Sequence, residues 1–596
     1  GLLALLLLHG AWTASMFASG SAWATTPLEC HTGGMAAILR AGSTWAVPDL
    51  WHGAMAGHFL VALVSVPLHA VMDPAVANQG MAWAGAAGLV AIVWSLLERH
   101  LGWRAALCGA SALAFGPPVL ARSAWSLGDW HHSQMLFDYG ALLIVLHPRR
   151  RWLLLGAVTG LGLANSLGSA PYLALAWAVA IWRGLDRRAL AGLAVGAVLA
   201  WPVWWKLFLH RPFGLPPGPD RTASRLSSLS PSPSKVLDLF WPELPQALHM
   251  GSVGPALVWV VLAWAGVALL AWSLLRRAPG ASGDALFARI RWRRPPPLAV
   301  MLLLWLGVFV AAYVVLKVRI LLPPEEFANA RSTSHRLLPP LVAGLAIAGG
   351  AGWGWMAERW RPLLVLGLLP ALLGGVSQTG LRGDGHLGDY RGRCFEPLGF
   401  YAGQTLPVAV DALEACAALP TGSGGCRIGA AWGVGFAAAE VAHADFLTDR
   451  QGRSVLTMGA EEDSAAPCRE LPAGLQASCL RGFGWHGGAF NWTSGGWPVQ
   501  ACARLGPPPE QEGCWVGVGF PLGDHLGPTP ERIGRVLERA EPGVRPSIAR
   551  GAGYAIGRTW GRRGRAEALC DGVGAHAADC RLGVADAFEE RARTGE

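Results

Sequence analysis

Charge is what this chain has least of. Asp, Glu, Lys and Arg make up 15% of its 596 residues, hydrophobic residues make up 52%, and the mean hydropathy is +0.35. A soluble chain carries about 25% charged residues, so the composition excludes a single large water-soluble enzyme. Lysine is nearly missing, with only Lys206, Lys235 and Lys317. The net charge of +9 is therefore an arginine charge. In a chain this apolar it speaks for the orientation of loops, and nucleic acid is not among the expected partners. Cysteine is scarce in the first 378 residues, where only Cys30 and Cys108 occur, and no C-x2-C pair exists anywhere. That removes the common zinc spacings. The opening run GLLALLLL is counted as the first membrane span; a cleaved signal peptide is the other reading, with no basic n-region visible to support it.

What is present is a series of apolar windows. They lie near 1–18, 78–97, 104–121, 133–147, 152–168, 171–183, 189–209, 251–275, 298–317, 337–357 and 362–378, which predicts about eleven transmembrane helices. The 30 tryptophans agree, since indole rings favour the membrane interface. A twelfth apolar stretch, 58–72, is short and interrupted by His and Pro, and is placed along the surface. The arginine clusters Arg99/Arg104, Arg149–Arg151, Arg183/Arg187/Arg188, Arg276–Arg294 and Arg359/Arg361 then fall in alternate loops. The positive-inside rule puts them, and the N-terminus, on the cytoplasmic side of the inner membrane of a bacterium-like cell. Residues 1–378 form the membrane domain, and everything after 378 is extracytoplasmic.

Residues 379–596 are a different domain, and within it eight cysteines repeat a pattern. The copies are CAALPTGSGGCRIGA from Cys416, CRELPAGLQASCLRGFG from Cys468, CARLGPPPEQEGCWVGVG from Cys502 and CDGVGAHAADCRLGVA from Cys570. Each reads C-x2-[LV]-x(6–8)-C-x2-G-x-[GA]. This predicts an all-α domain of helical hairpins, each stapled by one disulfide: Cys416–Cys426, Cys468–Cys479, Cys502–Cys514 and Cys570–Cys580. The recurrent glycine is expected to let the two helices of a hairpin approach closely. Such staples need an oxidising compartment, which matches the arginine topology. In solenoids of this kind a scaffold or ligand-contact role outweighs catalysis. Cys30 and Cys394 are left over outside, where a bond between them is one pairing, and Cys108 is read as an apolar filler in a span.

The candidate chemistry gathers on the outer side. In SLGDWHHSQMLFDYG, Asp129, His131, His132 and Asp138 stand at the mouth of the fourth span. On a helix His131, Gln134 and Asp138 form one polar stripe running into the membrane. Ionisable groups at that depth cost several kcal/mol unless they face a wet cavity or a partner. The bland alternative for the histidines, interfacial anchors beside Trp125 and Trp130, stands level with the functional one. The first outer loop contributes Glu29 and His31. The loop before the tenth span contributes Arg331, His335 and Arg336, where the arginines either hold an anion such as a phosphate or pair with Glu325 and Glu326.

This layout resembles the GT-C superfamily of polytopic membrane glycosyltransferases. The resemblance rests on a first span, a large outer loop with Glu29 near its start, surface helices, the segment LVAIVWSLLERHLGWRAALCGASALAF with its basic turn, a second acid at Asp129, and a late outer loop with arginines. It covers about residues 1–378. It implies transfer of a sugar from a polyprenyl-phosphate donor to a glycan, lipid or protein acceptor at the outer face. Glu29 would be the catalytic acid of the first loop and Asp129 the second. Arg331 or Arg336 would clamp the donor phosphate, and His31, His131, His132, Asp138 and His335 would contact substrate. The resemblance leaves open whether Glu29 acts as a general base or, with Asp129 and His131, holds a divalent metal ion. The chain departs from the family pattern in having Glu29-Cys-His in place of a paired acidic motif, and in its histidines. Two other classes compete: a transporter or flippase using Asp138 and the histidines as a proton relay, and a non-catalytic membrane scaffold displaying the repeats.

Overall fold

The computed structural model describes residues 1–18, 74–125, 131–165, 169–200, 253–276, 298–315, 334–379, 423–450, 465–490, 497–523, 530–559 and 563–594, with isolated positions between them. Every described element is helical. The membrane domain contributes α1 (Leu2–Ala18), α2 (Pro74–Leu101), α3 (Trp103–Ala114), α4 (Pro118–Trp125), α5 (His131–Leu146), α6 (Trp152–Asn165), α7 (Ala170–Trp182), α8 (Arg188–Leu199), α9 (Val253–Arg276), α10 (Leu298–Val315), α11 (Ser334–Ala357) and α12 (Leu363–Thr379). Three segments are long and apolar enough to cross a membrane, Gly80–Leu101, Val253–Leu274 and Pro339–Ala357, and seven shorter apolar helices accompany them. Leu3, Leu7, Leu8, Leu153, Leu154, Val195 and Val198 point outward, as side chains facing lipid do. The expected span at 104–121 is two helices. Pro117 and Pro118 have no N–H to give to the carbonyls of Leu113 and Ala114, so α3 stops and α4 starts afresh. Gln378 of α12 closes part of that gap, donating from Nε2 to the Gly116 carbonyl at 2.7 Å while its Oε1 accepts from Trp12 Nε1 at 2.6 Å.

Small residues set the packing, as expected where lipid offers no hydrophobic drive between helices. On α8 a first side-chain carbon at Gly192 would lie 1.9 Å from the Leu153 carbonyl of α6. On α11 the same atom at Gly352 would lie 1.8 Å from the Gly266 carbonyl of α9. These close approaches also give directions. Gly1 lies beside Trp94 and Gly10 beside Trp83, so α1 and α2 are antiparallel. Gly88 meets Leu136 and Gly140 meets Ile92, so α2 and α5 are parallel. Gly109 meets Ile347 and Gly354 meets Ala105, so α11 opposes α3 and runs with α2. Gly349 meets Ala263 and Gly352 meets Leu270, so α9 runs with α11. The ends carrying Arg99, Arg104, Arg149–Arg151, Arg276 and Arg359 therefore share one face of the bundle. Arg104 bridges to Glu358 at 2.6 Å there. Arg183, after α7, donates to the Val145 and His147 carbonyls at the end of α5, which joins the Arg183–Arg188 cluster to the same face.

The second domain contains α13 (Ser423–Arg450), α14 (Ala466–Arg469), α15 (Ala473–Phe490), α16 (Trp497–Arg504), α17 (Pro508–Gly523), α18 (Pro530–Arg539), α19 (Arg545–Thr559), α20 (Arg563–Cys570) and α21 (Ala577–Thr594). All four expected staples are formed, with Cα separations of 5.3–5.5 Å. The Cys30–Cys394 pairing lies outside the described residues, and Cys108 is buried and free. Two findings go past the sequence reading. First, the glycines join neighbouring copies and not the two helices of one hairpin. Gly482 abuts the Trp432 carbonyl of the preceding copy, and Gly484 abuts the Cys514 carbonyl of the following one. Second, α18 and α19 are a further copy without cysteine. Gly551 abuts Val516 and Gly553 abuts Cys580 in the same pattern, and Leu537 and Ile548, both buried, stand where the others carry the disulfide.

Candidate functional site

The membrane site is built on α5. Asp138 lies two turns inside that helix, about 10 Å from its first residue at 1.5 Å per residue, and is 1% exposed. Gln134, one turn nearer the end, is buried beside it. The C-terminus of α6 comes to the same level, because Gly162 packs on Phe137. The chain then returns as α7 with Ser169 immediately before its first residue, fully buried. Ser169 and Gln134 both turn hydrogen-bonding side chains to the Asp138 carboxylate, while Asp138 Oδ1 itself stays outside hydrogen-bond geometry. Tyr139 and Tyr172 sit within electrostatic reach of the carboxylate. The Trp305 ring of α10 stacks on both tyrosines, with centroids 5.9 and 5.4 Å away and planes 25° apart. The result is a pocket of oxygen atoms inside an otherwise apolar bundle, backed by a tight aromatic stack.

α5 is parallel to α2, so the end that carries this pocket is opposite the arginine face. α11 runs the same way, so the N-termini of α5, at His131, and of α11, at Ser334, share that end. Glu29, His31, Asp129 and Arg331 lie outside the described residues, and so do the side chains of His131, His132, His335 and Arg336. The expected stripe is met at Gln134 and Asp138. Among the described residues no three His, Cys, Asp or Glu side chains gather as a metal site. Ser169, Tyr172 and Trp305 were not anticipated from the sequence. The signal available was the polar, small-residue junction NSLGSAP at 165–171 between two apolar runs.

The repeat domain offers a second place to look. Six residues after the second cysteine position stand Trp432, Trp485, Phe520 and Tyr554, with Asp586 in the last copy. Phe400 falls six residues after Cys394 in the same register. Trp432 meets Trp485, Phe520 and Tyr554 edge-on, and Phe520 stacks flat on Tyr554 with centroids 5.0 Å apart. Polar and charged groups at neighbouring positions pair as well: Arg558 with Glu396 and Tyr554, Ser478 and Arg481 all with Glu590 in the interior, and Arg550 with Asp586 at 2.6 Å in a partly exposed position. The side chains of the second helices from every described copy thus converge on one another. Among the described residues, this face of the repeats is filled by aromatic and ionic contacts between copies.

No protein-family model, no curated protein and no solved structure matches this chain.

Proposed function

We propose that the chain is an integral membrane glycosyltransferase of the GT-C kind, with about eleven crossings and the arginine face toward the cytoplasm. It would move a sugar from a polyprenyl-phosphate donor to a glycan, lipid or protein acceptor at the outer face of the inner membrane. The repeat domain would stand over that face as a rigid disulfide-stapled platform. The observation that supports this reading most is spatial: the Asp138 pocket, the entrance of α5 and the N-terminus of α11 lie together at the end opposite the arginines, where the chain leaves α12 for the disulfide domain.

In that scheme Glu29 or Asp129 takes the proton of an acceptor hydroxyl as its oxygen attacks the anomeric carbon. The bond from that carbon to the donor phosphate breaks, and Arg331 or Arg336 takes up the charge of the departing polyprenyl phosphate. Asp138 and Gln134 lie beneath as hydrogen-bonding groups for the acceptor or the sugar. Mass spectrometry of surface glycans and polyprenyl-linked sugars tests this, comparing cells with the chain and cells with Glu29→Gln or Asp129→Asn. A sugar added, or a lipid-linked donor depleted, by the unaltered chain alone supports transfer through both acids. Identical profiles from all three refute it. A second reading, a transporter, draws on Asp138 itself, a buried carboxylate inside a membrane helix. Its signature is solute movement in liposomes that Asp138→Asn abolishes and Glu29→Gln leaves intact.

A further inference from the structure

At the opposite end of the bundle, six arginines meet in two short connections. Arg149, Arg150 and Arg151 lie between α5 and α6, and Arg183, Arg187 and Arg188 lie at the turn from α7 into α8. Glycine contacts hold the two connections together. A side-chain carbon at Gly156 would lie 2.0 Å from the Ala189 carbonyl, and one at Gly160 would lie 2.9 Å from Gly196, so α6 and α8 are parallel and start side by side. The chain turns at Gly184, where φ is 82°, and a side-chain carbon there would lie 3.7 Å from the Arg150 guanidinium.

The charge of this cluster is not balanced. Arg183 is 3% exposed, and its guanidinium donates to the neutral carbonyls of Val145, His147 and Pro148 while its Nε is buried without a partner. The carbonyls that end a helix carry together about half a negative charge. The charged side chain within electrostatic reach of Arg183 is Arg150, of the same sign. Asp186 is the one acid in the two connections, and its Oδ1 accepts the Arg188 backbone N–H at 2.8 Å. Among the described residues no carboxylate pairs with any of the six arginines. A buried cation among like charges calls for an anion, and guanidinium forks match the oxygens of a phosphate. Ile181, Leu190 and Leu153, each two residues from one of these arginines, are 63%, 59% and 53% exposed. A phosphate in the cradle therefore has an apolar outer surface directly beside it, where a lipid gains contact for its acyl chains and a free phosphate gains nothing.

We infer that the cradle of Arg149–Arg151, Arg183, Arg187 and Arg188 binds the phosphate of an anionic phospholipid, whose acyl chains lie along Ile181, Leu190 and Leu153. The bound lipid ties the α5–α6 connection to the α7–α8 turn. The site is independent of the transferase reading, because no donor or acceptor sugar takes part, and it does not depend on which compartment this face meets.

The test is titration of the full-length protein in neutral detergent with phosphatidylglycerol or phosphatidylcholine, read as bound lipid by native mass spectrometry. Phosphatidylglycerol is expected to bind about tenfold more tightly. Arg150→Gln with Arg187→Gln, both exposed side chains, should weaken phosphatidylglycerol about 20-fold and leave phosphatidylcholine unchanged. Arg359→Gln with Arg361→Gln removes two exposed arginines of the same face outside the cradle and should change neither. Equal binding of the two lipids overturns the site. Equal losses in the two double variants overturn it as well, since the charge of the whole face would then hold the lipid. Thermal unfolding with soluble glycerol phosphate separates the source of the phosphate: stabilisation equal to that by phosphatidylglycerol overturns the lipid assignment.

Discussion

The copy without cysteine gives the sharpest test of the repeat architecture. If α18 and α19 repeat the stapled hairpins, then Leu537→Cys with Ile548→Cys should install a fifth disulfide. The four native staples span 10 to 12 residues with Cα separations near 5.5 Å, and the new pair is separated by 11. Closing such a loop removes about 3 kcal/mol of chain entropy from the unfolded state. Each substitution also removes roughly two buried carbons, so the pair forfeits about 3 kcal/mol at about 0.8 kcal/mol per methylene. The oxidised double variant should therefore match the unaltered protein to within about 1 kcal/mol. Each single variant should lose about 1.5 kcal/mol with nothing to offset it. The diagnostic quantity is the coupling between the two substitutions, about 3 kcal/mol. Hydrogen exchange of the α19 amides reads it locally: exchange in the double variant should be about 100-fold slower than the two singles predict by addition. Non-reducing peptide mapping should show the 537–548 link. Two free thiols in the folded double variant, or purely additive exchange, would refute the idea that Leu537 and Ile548 occupy a staple position.

Two further perturbations probe the same domain. Gly551→Ala would put a carbon 1.8 Å from the Val516 carbonyl and force two copies apart. It should cost at least 1–3 kcal/mol, while Gly564→Ala, in a helix with nothing within 4 Å, should gain about 0.5–1 kcal/mol; denaturation monitored by hydrogen exchange separates the two signs. Arg469 meets Glu510 through two hydrogen bonds, at 2.9 and 2.7 Å, and its guanidinium holds the Glu510 carboxyl below the usual range. A lowered carboxyl contributes fully above its unfolded pKa and is lost as pH falls through the folded value. The contact between α14 and α17 should therefore loosen at acid pH by no more than about 0.5 kcal/mol, solvent screening included, and Arg469→Ala should abolish that acid step in exchange rates.

Much of the architecture was legible because its signals are local. Apolar runs fix helices by the cost of exposing them, and the C-x2-[LV] pattern with its second cysteine fixes hairpins by spacing alone. The break at Gly116-Pro117-Pro118 was also in the letters, but a window average hides it: two missing N–H groups end a helix without changing hydropathy. The cysteine-free copy escaped because the cysteines were the search key. The glycine spacing Gly551-x-Gly553 followed by Tyr554 was the more faithful signature, since it encodes contact between copies. Asp138 was found from its position in an apolar helix. Ser169, Tyr172 and Trp305 were not, because what places them beside Asp138 is the reversal at the α6–α7 junction and the packing of α10, neither of which has a periodic signature.

The relative direction of the membrane helices narrows the functional question more than any single residue does. The segment between α1 and α2 starts and ends at one end of the bundle, because α1 and α2 are antiparallel neighbours. α1 ends, and α2 and α5 begin, at the end of the bundle that carries Asp138. The chain also leaves α12 there. The proposed orientation would put the four disulfides in an oxidising compartment and the arginine-rich ends of the helices on the cytoplasmic side, and so meet both requirements. Inverting it would put four disulfides in a reducing cytosol and the arginine clusters outside. Free thiols at Cys416, Cys426, Cys468 and Cys479 in protein taken directly from cells would establish that inverse orientation, and with it remove the outer-face chemistry proposed for Glu29 and Asp129.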